Sequence, residues 1–204
     1  MEFSASGSIK AGWRIFKERP WFLVGVMLLS ALAGFGIGEI SSLFGTSGIL
    51  GVLGALVNFL LNTLLGLCIT AFMLKAHDSI RDAAIVDLWH PRPFFSYLGA
   101  TVLNGIIVVV GLIVLVIPGI IFGIMLLFTP YLVVDRDLTP IKALKESARI
   151  TKGNRWQLFM LLILMLLINI LGIIALLVGL LVTIPVTSLA IVHAYRALSK
   201  NAAL

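Results

Sequence analysis

Residues 117–156 read IPGIIFGIMLLFTPYLVVDRDLTPIKALKESARITKGNRW, and this stretch decides the fold. A Pro118-Gly119 break opens an apolar run, which meets its first charge at Asp135; a short basic segment follows, and Trp156 opens the next apolar run. One crossing of a bilayer needs about 20 apolar residues, each rising about 1.5 Å. The stretch therefore contains a membrane exit, a surface segment and a membrane re-entry.

Working outward, residues 94–134 and 156–192 contain no Asp, Glu, Lys or Arg, and each is long enough for two spans. Residues 21–74 are interrupted only by Glu39 and hold two more. The reading is all-α: a polytopic membrane protein of six transmembrane helices, arranged as three hairpins with amphipathic helices in the interface. Composition agrees, with 60% apolar and 12% charged residues and a mean hydropathy of +1.14. A soluble domain carries an apolar share of about half, so a soluble class is excluded, and one transmembrane domain fills residues 1–204.

The net charge of +6 is better read by position than by sum. Four cations precede the first span, three lie between spans 2 and 3, six between spans 4 and 5, and two follow span 6. All fifteen fall on one side, which places both termini in the cytoplasm and the chain in the prokaryotic cytoplasmic (inner) membrane. Nucleic acid is not an expected partner. The N-terminal basic segment, apolar run and Ala31-Leu32-Ala33 imitate a signal peptide. The length of the basic segment and its place in a repeat predict that it is retained. Cys68, the single cysteine, falls within the second span and reads as a packing residue.

Residues 8–22 align without a gap on residues 143–157: Lys10 on Lys145, Arg14 on Arg149, Ile15 on Ile150, Lys17 on Lys152, Trp21 on Trp156. Each copy places cations at i, i+4 and i+7, one stripe of a helix. The opposite stripe is Ile9, Trp13 and Phe16 in one copy and Ile141, Leu144 and Ala148 in the other. Such helices lie in the interface plane, apolar side towards acyl chains. Thr139 is expected to cap the second, Pro140 to open it and Gly153 to stop it. A weaker third copy is expected over residues 79–89, capped by Asp78 and ended by Pro91 and Pro93. The chain is thus three parallel units, about 8–76, 78–137 and 139–197.

Pro118-Gly119 reads as the outer turn between spans 3 and 4, and Pro130 and Pro185 as helix starts or kinks. Gly45, Gly48, Gly51 and Gly54 mark a longer outer connection with room for an extra short helix or re-entrant piece. Ser30, Gly34 and Gly38, like Gly119 and Gly123, recur at the spacing of close helix packing.

The pattern Pro118-Gly119-Ile120, Pro130, Asp135, Ala143-Leu144, Ser147 and Gly153 to Trp156 resembles a broad group of poorly characterised prokaryotic membrane proteins. That group includes the membrane region fused to some glycerophosphoryl diester phosphodiesterases. The resemblance implies a six-helix membrane domain and carries no catalytic barrel and no site residue.

Candidate chemistry is sparse. His77, His90 and His193 lie far apart in sequence near the charged edge, and no HExxH, CxxC or phosphate-cradling loop occurs. No catalytic constellation, cofactor site or metal site is expected, and the chain reads as non-enzymatic. Two sets remain. Lys10, Arg14, Lys17, Lys142, Lys145, Arg149 and Lys152 suit anionic headgroups or a partner. Asn58, Asn62, Asn104, Asn169, Thr183 and Thr187 suit interhelical hydrogen bonds or, if convergent, a polar path. Glu39 reads as a solvated outer acid, Glu146 as a partner of Lys142 and Arg149, Asp135 as an anchor for the basic helix, and His193 as a snorkelling group. The function expected is a lipid-interacting or partner-organising membrane module, with a small-solute or ion channel or transporter as the alternative. Membrane lipids and a protein partner or second copy are the expected contacts.

Overall fold

The structure is a computed structural model and describes residues 4–45, 47–89, 92–175 and 179–201. In chain order it runs α1 (Ala5–Glu18), α2 (Pro20–Ser42), α3 (Gly48–Asp78), a short 3-10 helix (Ile85–Leu88), α4 (Phe94–Val114), α5 (Val116–Met125), α6 (Thr129–Arg136), α7 (Pro140–Ile150), α8 (Arg155–Ile174) and α9 (Leu180–Asn201). No strand occurs among the described residues. Six helical segments are long and apolar enough to cross a membrane, the fourth made of α5 and α6 together. This is a multi-pass membrane protein.

Consecutive spans pack on one another, α2 on α3, α4 on α5 and α8 on α9, and α3 also meets α4, α6 and α9. The core is concentrated at one end. Phe72, Phe128, Leu132, Leu158, Leu189 and Tyr195 are fully buried there, whereas Leu32, Phe35, Ile49, Ile113, Ile117 and Ile174, towards the opposite ends of the spans, are exposed. Apolar surface on that scale is stable only against hydrocarbon.

α1 shows how the packed end is built. The Ser4 side chain caps its start by accepting from the Gly7 amide at 3.5 Å. Its buried face is Ser8, Ala11, Gly12, Ile15 and Phe16, and it lies on α9 and α8. Gly12 makes that approach possible, because a Cβ there would sit 2.4 Å from the Val186 carbonyl. On α7 the buried positions are Ala143, Ser147 and Ile150, those that align with Ser8, Gly12 and Ile15. The expected apolar stripes are therefore divided. Phe16 faces the bundle, while Trp13 and Ile141 are exposed to the surroundings. Packing of α1 on α8 and α9 selects the buried positions, and a single-stripe reading of the helix does not find that face.

Several expectations are corrected. Residues 79–89 do not form the third amphipathic helix: α3 runs on through Asp78, turns follow, and only the 3-10 helix forms. The Asp78 carboxylate, expected as a cap, is instead occupied by Arg196. Pro91 lies outside the described residues. Thr139 stands at the N-cap of α7 without a side-chain cap bond, while Pro140 opens the helix and Gly153, with φ of 87°, follows its end. The turn between α4 and α5 falls at extended Leu115, and Pro118 sits in the first turn of α5, where its missing N–H costs nothing. Gly119 instead permits contact with α4, since a Cβ there would meet the Leu112 side chain at 2.5 Å. The glycine-rich connection between α2 and α3 holds no extra helix among the described residues, because α3 begins at Gly48 and takes up that length. Pro130 starts α6 and Pro185 lies inside α9, as their positions predict.

The fourth span breaks between Met125 and Thr129, and α7 repairs the break. The buried Ser147 hydroxyl donates to the Met125 carbonyl at 2.9 Å and accepts from the Phe128 amide at 3.2 Å. Thr151 adds a second hydroxyl to the Met125 carbonyl at 3.3 Å. Broken helix ends inside a membrane need such partners.

Candidate functional site

α3, α6 and α9 end together, and charged side chains tie their ends. Arg196 on α9 donates from Nη1 to both oxygens of Asp135 on α6, each at 2.8 Å, and from Nε and Nη2 to Asp78 on α3, at 3.1 and 2.5 Å. The Tyr195 hydroxyl donates to Asp135 Oδ2 at 2.6 Å. His77 Nε2 and His193 Nδ1 are 3.2 Å apart, and His77 Nδ1 lies 3.2 Å from Asp78 Oδ1. Arg136 contacts the Ser199 hydroxyl. One guanidinium satisfying two carboxylates in fork geometry is an arrangement lysine does not reproduce. Asp135 therefore binds α9 rather than anchoring α7, and His193 is a partner of His77 rather than a snorkelling group. His90 lies outside the described residues. No group of three or more His, Cys, Asp or Glu residues able to hold a metal occurs among the described residues.

Sequence reasoning missed this node and a second clamp. Arg19 donates from Nη1 to the carbonyls of Ile80, Arg81 and Ala83 at 3.1, 3.2 and 2.9 Å, and its guanidinium lies 4.1 Å from the Phe22 ring centroid. It fixes the turn that leads from α3 to the 3-10 helix. The Lys75 ammonium donates to Asp87 at 2.6 Å, and the Ala84 amide donates to the same carboxylate at 2.8 Å. These bonds, the lysine's first, hold the Asp87 carboxyl below the usual range. The available signal was positional: Asp78, Asp135 and Arg196 each stand at or near the end of a second span of a unit.

Of the expected cations, three converge. Lys142, Lys145 and Arg149, spaced as one stripe of α7, join Arg136, Leu138 and Glu146 around a cavity of about 380 Å³. Glu146 accepts from Arg149 Nε at 2.8 Å and Nη2 at 2.7 Å, with Arg136 Nη1 at 3.4 Å, so its partners are Arg149 and Arg136, not Lys142. The Arg149 hydrogen bonds lower the Glu146 carboxyl from its ordinary value. Lys142 and Lys145 are exposed and make no ion pair among the described residues. Four cations thus surround one carboxylate, a lining suited to a phosphate. Lys10, Arg14 and Lys17 are exposed on α1 and Lys152 after α7, and none lines the four cavities described.

The neutral polar set divides between hydrogen-bonded and unpartnered side chains. Asn58 donates to the Ser41 hydroxyl at 2.8 Å, joining α3 to α2, and Asn62 donates to the Asn58 carbonyl and side-chain oxygens at 3.0 Å. Thr187 donates back to the Thr183 carbonyl. Asn104 Oδ1, Asn169 Oδ1 and Thr183 Oγ1 are buried without a hydrogen-bond partner, and none of the six residues lines a described cavity. Glu39 is exposed in the last turn of α2.

A second cavity, of about 620 Å³, lies beside the Arg196 node and is lined by Asp78, Asp82, Asp87, Asp135, Lys75 and Trp89 among others. A third, apolar and of about 340 Å³, lies between α2, α3 and the 3-10 helix.

Uncharacterized proteins of Mycobacterium tuberculosis and Mycobacterium bovis are each 31% identical to this chain over 123 residues, which is 58% of this chain and 37% of theirs. The matched part thus spans well under half of those relatives' length. No solved structure matches. The model of a family described as protein of unknown function (DUF975) matches residues 96–202, from α4 through α9 and including Asp135, Ser147 and Arg196. The chain belongs to this poorly characterised prokaryotic family, DUF975.

Proposed function

We propose that the chain is a non-enzymatic module of the prokaryotic cytoplasmic membrane that binds anionic lipid headgroups at its charged end and there organises lipid or a protein partner, including a second copy. The observation that carries this reading is the cavity on α7 with Arg136, Lys142, Lys145 and Arg149 around it. Near an anionic surface each cation contributes about 1 kcal/mol. Both termini and the charged end face the cytoplasm, and α1 and α7 lie in the interface plane as the surface elements of parallel two-span units. The equivalent buried positions of α1 and α7 support that repeat. The same units relate the chain to the membrane region fused to some glycerophosphoryl diester phosphodiesterases.

The test is native mass spectrometry of the purified chain with added phosphatidylglycerol or phosphatidylcholine. Preferential retention of phosphatidylglycerol is expected, falling about fivefold per charge in Lys142→Gln and Lys145→Gln. Retention that ignores headgroup charge and both substitutions sinks the reading.

A channel or transporter is the second reading, favoured by the unpartnered buried oxygens of Asn104, Asn169 and Thr183. Buried polar atoms without protein partners call for water. Replacing Asn58, Asn104 and Asn169 by Leu abolishes solute flux from liposomes if these residues line a path, and unchanged flux removes that reading.

A further inference from the structure

We propose that the apolar groove and the acidic cavity along α3 together form a site for one zwitterionic phospholipid bearing a primary ammonium headgroup. The two cavities share Trp89 and lie along the same side of α3. The α3 residues of the groove are Leu61, Leu64, Leu65 and Cys68; those of the acidic cavity are Ala71, Leu74, Lys75 and Asp78. They recur at three- and four-residue spacing, so they trace one slowly winding stripe. From Leu61 to Asp78 the helix rises about 26 Å. That is enough for one acyl chain in a leaflet about 15 Å deep, with the headgroup beyond it.

The groove is walled by Leu29, Ala33 and Ile37 of α2 and by Ile85, Leu88 and Trp89 of the segment after α3. Ile85, Val86 and Trp89 are exposed apolar residues on that segment, which Arg19 and the Lys75–Asp87 pair hold in place. The headgroup end has the opposite electrostatics from the α7 cavity. Four carboxylates, of Asp78, Asp82, Asp87 and Asp135, face only two cations, Lys75 and Arg196. Asp82 makes no side-chain bond among the described residues. The lining is therefore net negative and offers acceptors, which matches a primary ammonium that donates three hydrogen bonds and rests against the Trp89 ring. Lys75 uses one ammonium hydrogen on Asp87 and keeps donors for the phosphate of the same headgroup. An anionic headgroup without an amine meets repulsion here.

This inference deepens the lipid-interacting reading at a separate site, and its test separates the two. The purified chain is titrated by native mass spectrometry with phosphatidylethanolamine, phosphatidylcholine and phosphatidylglycerol. One phosphatidylethanolamine per chain is expected to be retained. Asp82→Asn weakens it about fivefold, and Ala33→Phe, which fills a lipid-facing wall of the groove, abolishes it. Lys142→Gln with Lys145→Gln leaves phosphatidylethanolamine retention unchanged while lowering that of phosphatidylglycerol. Thermal unfolding of each variant, expected within a few degrees of the parent, checks the fold. Equal retention of phosphatidylcholine, or phosphatidylethanolamine retention unmoved by both Asp82→Asn and Ala33→Phe, overturns the proposal whatever phosphatidylglycerol does.

Discussion

Arg196 and Asp135 stand 61 residues apart in sequence and meet through one guanidinium nitrogen placed 2.8 Å from each carboxylate oxygen. Both side chains are only partly exposed, so removing one leaves a charge short of solvent and partner. Arg196→Leu and Asp135→Asn are each expected to cost about 1–3 kcal/mol. Arg196→Lys is expected to lose most of the same stability, because an ammonium does not reach both Asp135 and Asp78 in fork geometry. Unfolding midpoints in detergent for the single variants and for the double variant measure the coupling; additive effects would show that the pair does not interact.

Ser147→Ala removes the hydroxyl that serves both the Met125 carbonyl and the Phe128 amide in the broken fourth span. The loss is expected at about 1–3 kcal/mol, since both backbone groups lie where water is scarce. Hydrogen exchange read at residues 125–129, the break between α5 and α6, is expected to accelerate more than exchange in α7.

Gly12→Val forces a side chain into the backbone of α9. It is expected to cost about 1–3 kcal/mol and to expose α1 to limited proteolysis. Gly25→Ala, at a position with open space around it, is the control and is expected to be neutral or slightly stabilising. Equal protease resistance in both variants would mean that α1 does not depend on this approach.

Arg19→Gln withdraws the donor shared by the Ile80, Arg81 and Ala83 carbonyls. Faster hydrogen exchange over residues 80–89 is the expected result, with α7 unaffected.

Glu146 gives a pH dependence with a definite sign. Its carboxyl is held low mainly by the Arg149 hydrogen bonds, so the stabilisation it provides is fully present above the ordinary glutamate value and is lost as pH falls through the depressed folded value. Protonation there also removes the one negative charge lining the α7 cavity. Phosphatidylglycerol retention is accordingly expected to rise in that acid range while stability falls, and Glu146→Gln is expected to show the raised retention already at neutral pH. A variant with the parent's pH profile would remove Glu146 from this role.

Two levels of the protein separate by the kind of physics that sets them. The charge-free runs of residues 94–134 and 156–192, and the single interruption at Glu39, determine six spans because the cost of burying charge in hydrocarbon depends on local sequence alone. The cations around α7 were legible for the same reason, but of the expected stripe Lys145, Arg149 and Lys152 only the first two line the cavity, because α7 ends at Ile150, and Lys142 joins them. The roles of Arg196, Arg19 and Ser147 were not legible. Their partners at Asp135, Ala83 and Met125 are set by which helices pack together, and no local periodicity encodes that. Residues 79–89 show the converse: their local pattern suited a helix, but Asp78 and Asp87 found partners in Arg196 and Lys75. Sequence determined what enters the membrane, through local transfer free energy; tertiary structure decided which charges meet at its edge, because long-range pairing exists only after the helices have packed.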